Sequence, residues 1–227
     1  MDPGTDGVRA GADGTRRCWW CVGDALYESY HDLEWGRPVA DDVRIFEKLC
    51  LEGFQSGLSW ITILRKRENF RRAFRSFDID ALSRFTARSV DRLILDAGII
   101  RNRAKIEATI NNAQRCRELL NEVGSLAAYI WSFEPDPKTR PKVLDWSALT
   151  RLGESQEAKA LSKDLKKRRW SFVGPTTVYS TMESLGLVND HVEGCHFRRS
   201  VEKDRARFVR PTIDPRTSDR AQSLHEG

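Results

Sequence analysis

The chain contains no uninterrupted run of the roughly 18–20 apolar residues that a membrane-crossing helix needs. Its opening residues, MDPGTDGVRAGADGTRR, lack the apolar stretch of a secretory leader. Together these absences predict a cytoplasmic protein. Cysteine is sparse, five in 227 residues. In a reducing compartment such cysteines are expected to be thiols or metal ligands rather than disulfide struts. Strand-like alternation is missing, and no repeat of fixed period stands out. The expected class is therefore all-α.

Hydrophobic residues make up 40% of the chain, enough for a proper core. The net charge of +5 leans toward a polyanionic partner. Lys166–Arg169 and Arg198–Arg210 concentrate that charge, although each run also reads as a solvated face. Residues 1–16 hold little to bury and are expected to be disordered, and so is the tail 204–227. The ordered domain is expected over 17–203.

Within it, Asp41 can cap a helix carrying Ile45, Phe46, Leu49 and Cys50. Helical spacing continues through Trp60, Ile63, Leu64, Phe70 and Phe74. Thr86 opens another helix, Ile106 to Leu120 marks a long one, and Ser125 caps a short one. Residues 134–153, with Pro135, Pro137 and Pro141, read as a loop. Further helices are expected over about Glu154–Arg169 and Thr176–Leu185, the latter stopped by Gly186.

The last two helices flank a turn at Phe172–Gly174, within LKKRRWSFVGPTTVYSTMESLG. Pro175 suits a first helical turn. Free amide N–H groups and the helix dipole after Gly174 suit a phosphate. Thr176 and Thr177 add hydroxyls, and Lys167 with its basic neighbours adds charge. A helix-hairpin-helix grips a DNA backbone in this way without reading sequence; an ordinary αα-hairpin has the same outline.

Cys18, His31, His191 and Cys195 supply two thiolates and two imidazoles, a common structural zinc set. Such a metal would tie the two ends of the domain together and leave no open coordination place. Spacing alone leaves Cys21 as a substitute for Cys18 and His196 as a substitute for Cys195.

Tyr27, Tyr30, His31, Glu34 and Trp35 fall on one helical stripe, unusually polar for a core face. Glu52 lies in FEKLCLEGFQSGLSWITIL, apolar at nearly every surrounding position. A persistent helix would align Glu52, Ser56 and Trp60, though Gly53 and Gly57 weaken it. A carboxylate there needs a partner. One reading is a buried ion pair or helix end; the other is an anion among aromatic faces, suited to a flat cationic ligand.

The stretches LYESYHDLEWG, LCLEGFQSGLSWITIL, DAGIIRNRAKI and FVGPTTVYSTMESLGLVNDHVEGC resemble the 3-methyladenine DNA glycosylase I family of the helix-hairpin-helix superfamily, over about Arg17–Cys195. The resemblance implies a helical enzyme that flips N3-methyladenine out of alkylated double-stranded DNA and hydrolyses its glycosidic bond. It places structural zinc on Cys18, His31, His191 and Cys195. It places the base among Trp20, Tyr27, Tyr30, Glu52 and Trp60, with Trp35 nearby, and makes Glu52 the catalytic candidate. Leu58 would sit in the gap left by the nucleotide, beside Gln55 and Gly57, and the turn at Gly174 would hold phosphates. No lysine stands out as an amine nucleophile, so base removal without strand cleavage is expected, by a monomer. Cys21 has no role in this scheme. The rival reading is a non-catalytic zinc-containing DNA-binding module, which leaves Glu52 without a purpose.

Overall fold

A computed structural model describes residues 6–213, and residues 1–5 and 214–227 lie outside the described residues. Among the described residues, helices dominate: α1 Ala25–Leu33, α2 Asp42–Gln55, α3 Trp60–Ala73, α4 Ile79–Ser83, α5 Ala87–Leu93, α6 Arg103–Val123, α7 Leu126–Trp131, α8 Trp146–Thr150, α9 Gln156–Lys167, α10 Pro175–Ser184 and α11 Arg198–Arg207. Single 3-10 turns occur at Trp19–Cys21, Arg75–Phe77 and Pro137–Thr139.

The starts are set by side-chain caps that satisfy otherwise unpaired amide donors. Asp24 accepts from Tyr27 N, Asp41 from Arg44 N, Asn102 from Lys105 N, Ser125 from Ala128 N and Ser155 from Ala158 N. The caps expected at Asp41 and Ser125 are therefore in place. Gly186 ends the last turn after α10 with φ +78°, and an added Cβ there would meet Arg37 C and Pro38 N at 2.6 Å. Only glycine fits that crossing of the α10 exit over the segment after α1.

α2 is the hub. Ile45, Phe46, Leu49, Leu51 and Phe54 are all buried, and α2 packs against α3, α6, α7 and α10. Phe54, Phe70, Phe74 and Phe77 form an aromatic column, with successive centroids 4.6, 6.1 and 5.7 Å apart. The helix does not continue to Trp60. It stops at Gln55, Gly57 turns left-handed at φ +79°, and Trp60 begins α3 afresh. Lys105 Nζ on α6 donates to the carbonyls of Phe54 (2.8 Å) and Ser56 (2.6 Å), supplying partners that a continued helix would have supplied.

Three sequence expectations change. Within the N-terminal segment expected to be disordered, Val8–Ala10 pairs antiparallel with Arg16–Cys18, so the fold is helical with one small hairpin. Its paired Val8 and Cys18 are buried in the core, and ion pairs add to that anchor: Arg17 reaches Asp13 at 2.8 Å and Asp32 of α1 at 2.9 Å. The C-terminal segment is likewise docked as far as it is described. Arg205 and Arg210 pair with Glu134 at 2.8 and 2.9 Å, and Phe208 packs on Trp131 at 4.6 Å. The proline-rich loop contains α8, capped by Asp145.

Candidate active site

α1 carries Tyr27, Tyr30 and His31. After it ends, Glu34 N and Trp35 N both donate to Tyr30 O, so the stripe runs on through Trp35. The 3-10 turn at Trp19–Cys21 presents Trp20 to this stripe, with ring centroids 4.8 Å from Tyr27 and 5.0 Å from Trp35. Glu52 comes from α2, and Trp60 from the first position of α3, 5.4 Å from the Tyr30 ring. Apart from His31 and Glu34, these residues line one cavity of about 210 Å³, together with Gln55, Leu149, Ser180 and Glu183. That is below the roughly 300–1,000 Å³ of sites for drug-sized ligands, a scale suited to one flat heterocycle.

The cavity thus gathers Trp20, Tyr27, Tyr30, Trp35, Glu52 and Trp60 from four separate segments. Trp60 is buried and its indole Nε1–H has no hydrogen-bond partner. Among the described residues the indole N–H groups of Trp19 and Trp170 are buried and unpaired as well, so at Trp60 it is the ring face beside Tyr30 that the cavity uses.

Glu52 is only 6% exposed. Burial raises its pKa, and Lys48, one turn back on α2, opposes that shift with Nζ 3.1 Å from Glu52 Oε1. The same ammonium donates to Tyr30 OH at 2.6 Å and lies 3.3 Å from the centre of the Trp60 ring. Burial lowers the pKa of Lys48 and raises those of both tyrosines, so the phenols stay neutral.

Glu183 was not foreseen. It is half-buried on α10, and burial, then Asp190, then Glu52 drive its pKa well up. Asp190 itself is fully buried, receives Tyr179 OH at 2.7 Å and pairs with Arg140. The cavity therefore carries two carboxyl groups, the second favouring its neutral form. Glu183 sits in MESLG, where nothing in the local pattern separates a cavity residue from a solvated helix end.

Near the cavity, Cys18, His31 and Cys195 point one ligand atom each into a common volume, all within 4.8 Å of one another and all buried. Cys195 Sγ lies 3.6 Å from His31 Nε2. A sulfur and an imidazole nitrogen on one tetrahedral zinc would stand roughly 3.6 Å apart, so the donor set fits. The other His31 nitrogen meets Asp32 Oδ1 at 2.8 Å, the outer partner that a ligating imidazole commonly has. The Cys195 thiol is pulled down to about 4 by the adjoining Cys18 and then His31. His191 is not gathered into this trio. Its ring packs 4.6 Å from that of His31, but Nδ1 faces Asn189 Oδ1 at 3.2 Å and Nε2 faces His31 O at 3.4 Å. Cys21 is buried with its thiol on Cys18 O at 3.2 Å, and His196 is exposed, so neither substitute belongs to the trio.

Gly57 and Leu58 stand exposed on the α2–α3 turn, beside Gln55 at the cavity rim. In the α9–α10 turn Lys167 is exposed, whereas Arg168 is turned inward onto Glu122 and Asp164. Gly174 caps α10 with Pro175 in the first turn. Thr177 is half-buried, and the exposed Thr176 hydroxyl is 3.2 Å from Glu154. Sequence reasoning missed the residue that shapes this turn. Asn112 on α6 exchanges two hydrogen bonds with the backbone of Ser171, both 2.9 Å, and Asn111 donates to Arg169 O.

Residues 20–199 match the model of the methyladenine glycosylase family. The chain belongs to this family. It is 47% identical to DNA-3-methyladenine glycosylase 1 of Escherichia coli (strain K12), over 79% of this chain and 95% of that one. It is 43% identical to DNA-3-methyladenine glycosylase of Haemophilus influenzae, over 82% and 100%. Among solved structures, a 3-methyladenine DNA glycosylase I variant in complex with 3-methyladenine superposes with a TM-score of 0.73 at 32% identity, covering 87% of this chain and 99% of that one. The methyladenine glycosylase match takes in the whole cavity and the α9–α10 turn. Cys18 and the N-terminal hairpin lie just before it.

Proposed function

We propose that this protein is a monofunctional DNA glycosylase that excises N3-methyladenine from alkylated double-stranded DNA, with Glu52 reading the damaged base. The observation that carries the reading is the cavity itself: one buried carboxylate flanked by Tyr30, Trp60, Trp20, Tyr27 and Trp35 at the size of a single base. Family membership supports it, and so do relatives named for this activity.

The chemistry follows from the lesion. Methylation at N3 gives the adenine a positive charge, so the glycosidic bond to the sugar carbon can break with its electron pair passing to the base. The base leaves neutral, and water adds to the sugar carbon and gives up a proton. Strong protonation of the leaving group is unnecessary. The protein must flip the nucleotide, at a cost of a few kcal/mol, and hold the base. Stacking on Trp60 offsets that cost by about 1–3 kcal/mol. Glu52 accepts from the exocyclic amine and favours the cationic form. Leu58, with Gln55 and Gly57, fills the gap left in the duplex. The α9–turn–α10 segment acts as a helix-hairpin-helix, in which Lys167, Gly174, Thr176 and Thr177 meet backbone phosphates. Lys48 does not line the cavity, in keeping with base removal by water rather than by an amine.

Cys18, His31 and Cys195 would hold a structural zinc, with His191 supplying the fourth nitrogen after its ring turns from Asn189. That ion would clamp the N-terminal hairpin and the C-terminal segment behind Trp20 and leave no place for a catalytic water.

Release of free 3-methyladenine from methylated duplex DNA tests the reading. Wild-type protein should liberate the base and leave the strand intact, and Glu52→Gln should be slower by at least about tenfold, the loss of one charge-assisted hydrogen bond of about 1.5–3 kcal/mol. Glu52→Gln at the wild-type rate refutes the assigned role.

A further inference from the structure

Tyr30 and Trp60 form a wall between two cavities. On one side is the base cavity with Glu52. On the other is a small space of about 60 Å³ lined by Lys48, Arg44, Arg67, Arg71, Glu34 and Glu47. Lys48 and Glu52 are four residues apart on α2 and meet at the edge of that wall. Building on the reading of Glu52 as base-recognition residue, we propose that Lys48 is its positioning residue: from behind the Tyr30–Trp60 wall its ammonium keeps Glu52 an anion, fixes Oε1 and leaves Oε2 for the base.

The geometry gives Lys48 no other employment. An ammonium has three hydrogens. One points to Glu52 Oε1, one to Tyr30 OH, and the third lies against the Trp60 face, with Nζ 3.1, 2.6 and 3.3 Å from these groups. An amine so engaged is not poised to attack a sugar carbon. It does set three elements of the base cavity at once: the rotamer of Glu52, the phenol of Tyr30 and the plane of Trp60.

The charge argument is equally direct. Glu52 is 6% exposed, and a carboxylate without a counter-charge at that burial takes up a proton. A protonated Glu52 could offer an O–H where the exocyclic amine needs an acceptor, and it would lose its attraction for a cationic base. The charged or titratable groups near the pair are Tyr27 and Tyr30 of α1, Glu34 just after it, Arg44 and Glu47 of α2, Arg67 and Arg71 of α3 and Glu183 of α10. Of the other cations, Arg67 binds Glu34 through its two terminal nitrogens at 2.6 and 2.9 Å, Arg71 binds Glu47 and Glu68, both at 2.7 Å, and Arg44 is exposed, whereas Lys48 is paired with Glu52. The phenols and the second carboxyl group supply no positive charge. Lys48 is therefore the cation that answers Glu52.

The test is the pH dependence of single-turnover 3-methyladenine release for the full chain and for Glu52→Gln, Lys48→Met and Lys48→Arg. An ionised Glu52 gives activity that rises with pH through its pKa. Removing Lys48 raises that pKa further, so the acidic limb in Lys48→Met should move up by about one pH unit or more, and in Lys48→Arg it should stay near the wild-type position. A limb unmoved in folded Lys48→Met overturns the proposal. Should Lys48→Met fail to fold, difference infrared spectra of wild type against Glu52→Gln still decide: an ionised Glu52 at pH 7 is expected, and a protonated one overturns the proposal. The outcomes separate the two readings. Impaired Glu52→Gln with an unmoved Lys48→Met limb removes only the role of Lys48, whereas wild-type release by Glu52→Gln removes both.

Discussion

Replacing Trp60 separates its stacking role from its packing role. The residue is 7% exposed, its ring faces Tyr30 at 5.4 Å, and Lys48 Nζ lies 3.3 Å from the ring centre. Trp60→Ala removes a stacking surface worth about 1–3 kcal/mol per base. If that interaction acts in the transition state, kcat/KM for 3-methyladenine release falls by about 5- to 150-fold. The same change opens a void and strips Lys48 of its cation–π contact, so stability should fall by about 3–5 kcal/mol. Trp60→Phe keeps an aromatic face but gives up one ring of the indole together with its Nε1–H. Its loss should be smaller than that of Trp60→Ala, because a stacking face remains. The assay is base release from methylated duplex DNA at substrate concentrations well below KM, with urea melts of each variant to fix the folded fraction. Trp60→Ala that is folded under assay conditions and retains wild-type kcat/KM would refute the stacking argument outright.

Zinc content per chain should be near one in wild type and Cys21→Ser and lost in Cys18→Ser, read by atomic emission on purified protein; zinc lost from Cys21→Ser alone would reverse the ligand choice. Asn112→Ala strands both the N–H and the C=O of Ser171 and should cost about 1–3 kcal/mol in a urea melt, together with weaker binding to undamaged duplex; unchanged values on both measures would show that the α9–α10 turn holds its shape without it. Lys167→Ala should weaken DNA binding alike for all sequences and lower the slope of log K against log salt by about one. An unchanged slope would place Lys167 away from the phosphates.

Much of the site was legible because its residues are expensive where they stand. Glu52 in an apolar stretch and a stripe mixing phenols, imidazole and carboxylate both demanded partners, and family resemblance supplied their common purpose. Lys48 was harder to see. Its neighbours in FEKLCLEG read as an ordinary amphipathic turn, and only the fold of α1 and α3 around α2 brings Tyr30 and Trp60 to its amine. Glu183 and Asn112 were hidden for the same reason: each acts across a gap in sequence that no local spacing encodes. The N-terminal hairpin was misjudged because a charge-rich segment needs only a few anchors to be ordered, here the buried Val8 and Cys18 and the ion pairs from Arg17 to Asp13 and Asp32.

By itself the sequence determined the helical class, the capped starts at Asp41 and Ser125 and the resemblance that names the damaged base, since these rest on local patterning and on long matched stretches. Tertiary structure alone decided which side chains share a cavity, that α2 breaks at Gly57 so that Trp60 enters from a separate helix, that Cys18 rather than Cys21 joins His31 and Cys195, and that His191 stands beside that trio with its nitrogens engaged elsewhere. The physical reason is distance: caps and periodicity act within a few residues, whereas ion pairing, stacking and ligand convergence depend on which helices are packed together.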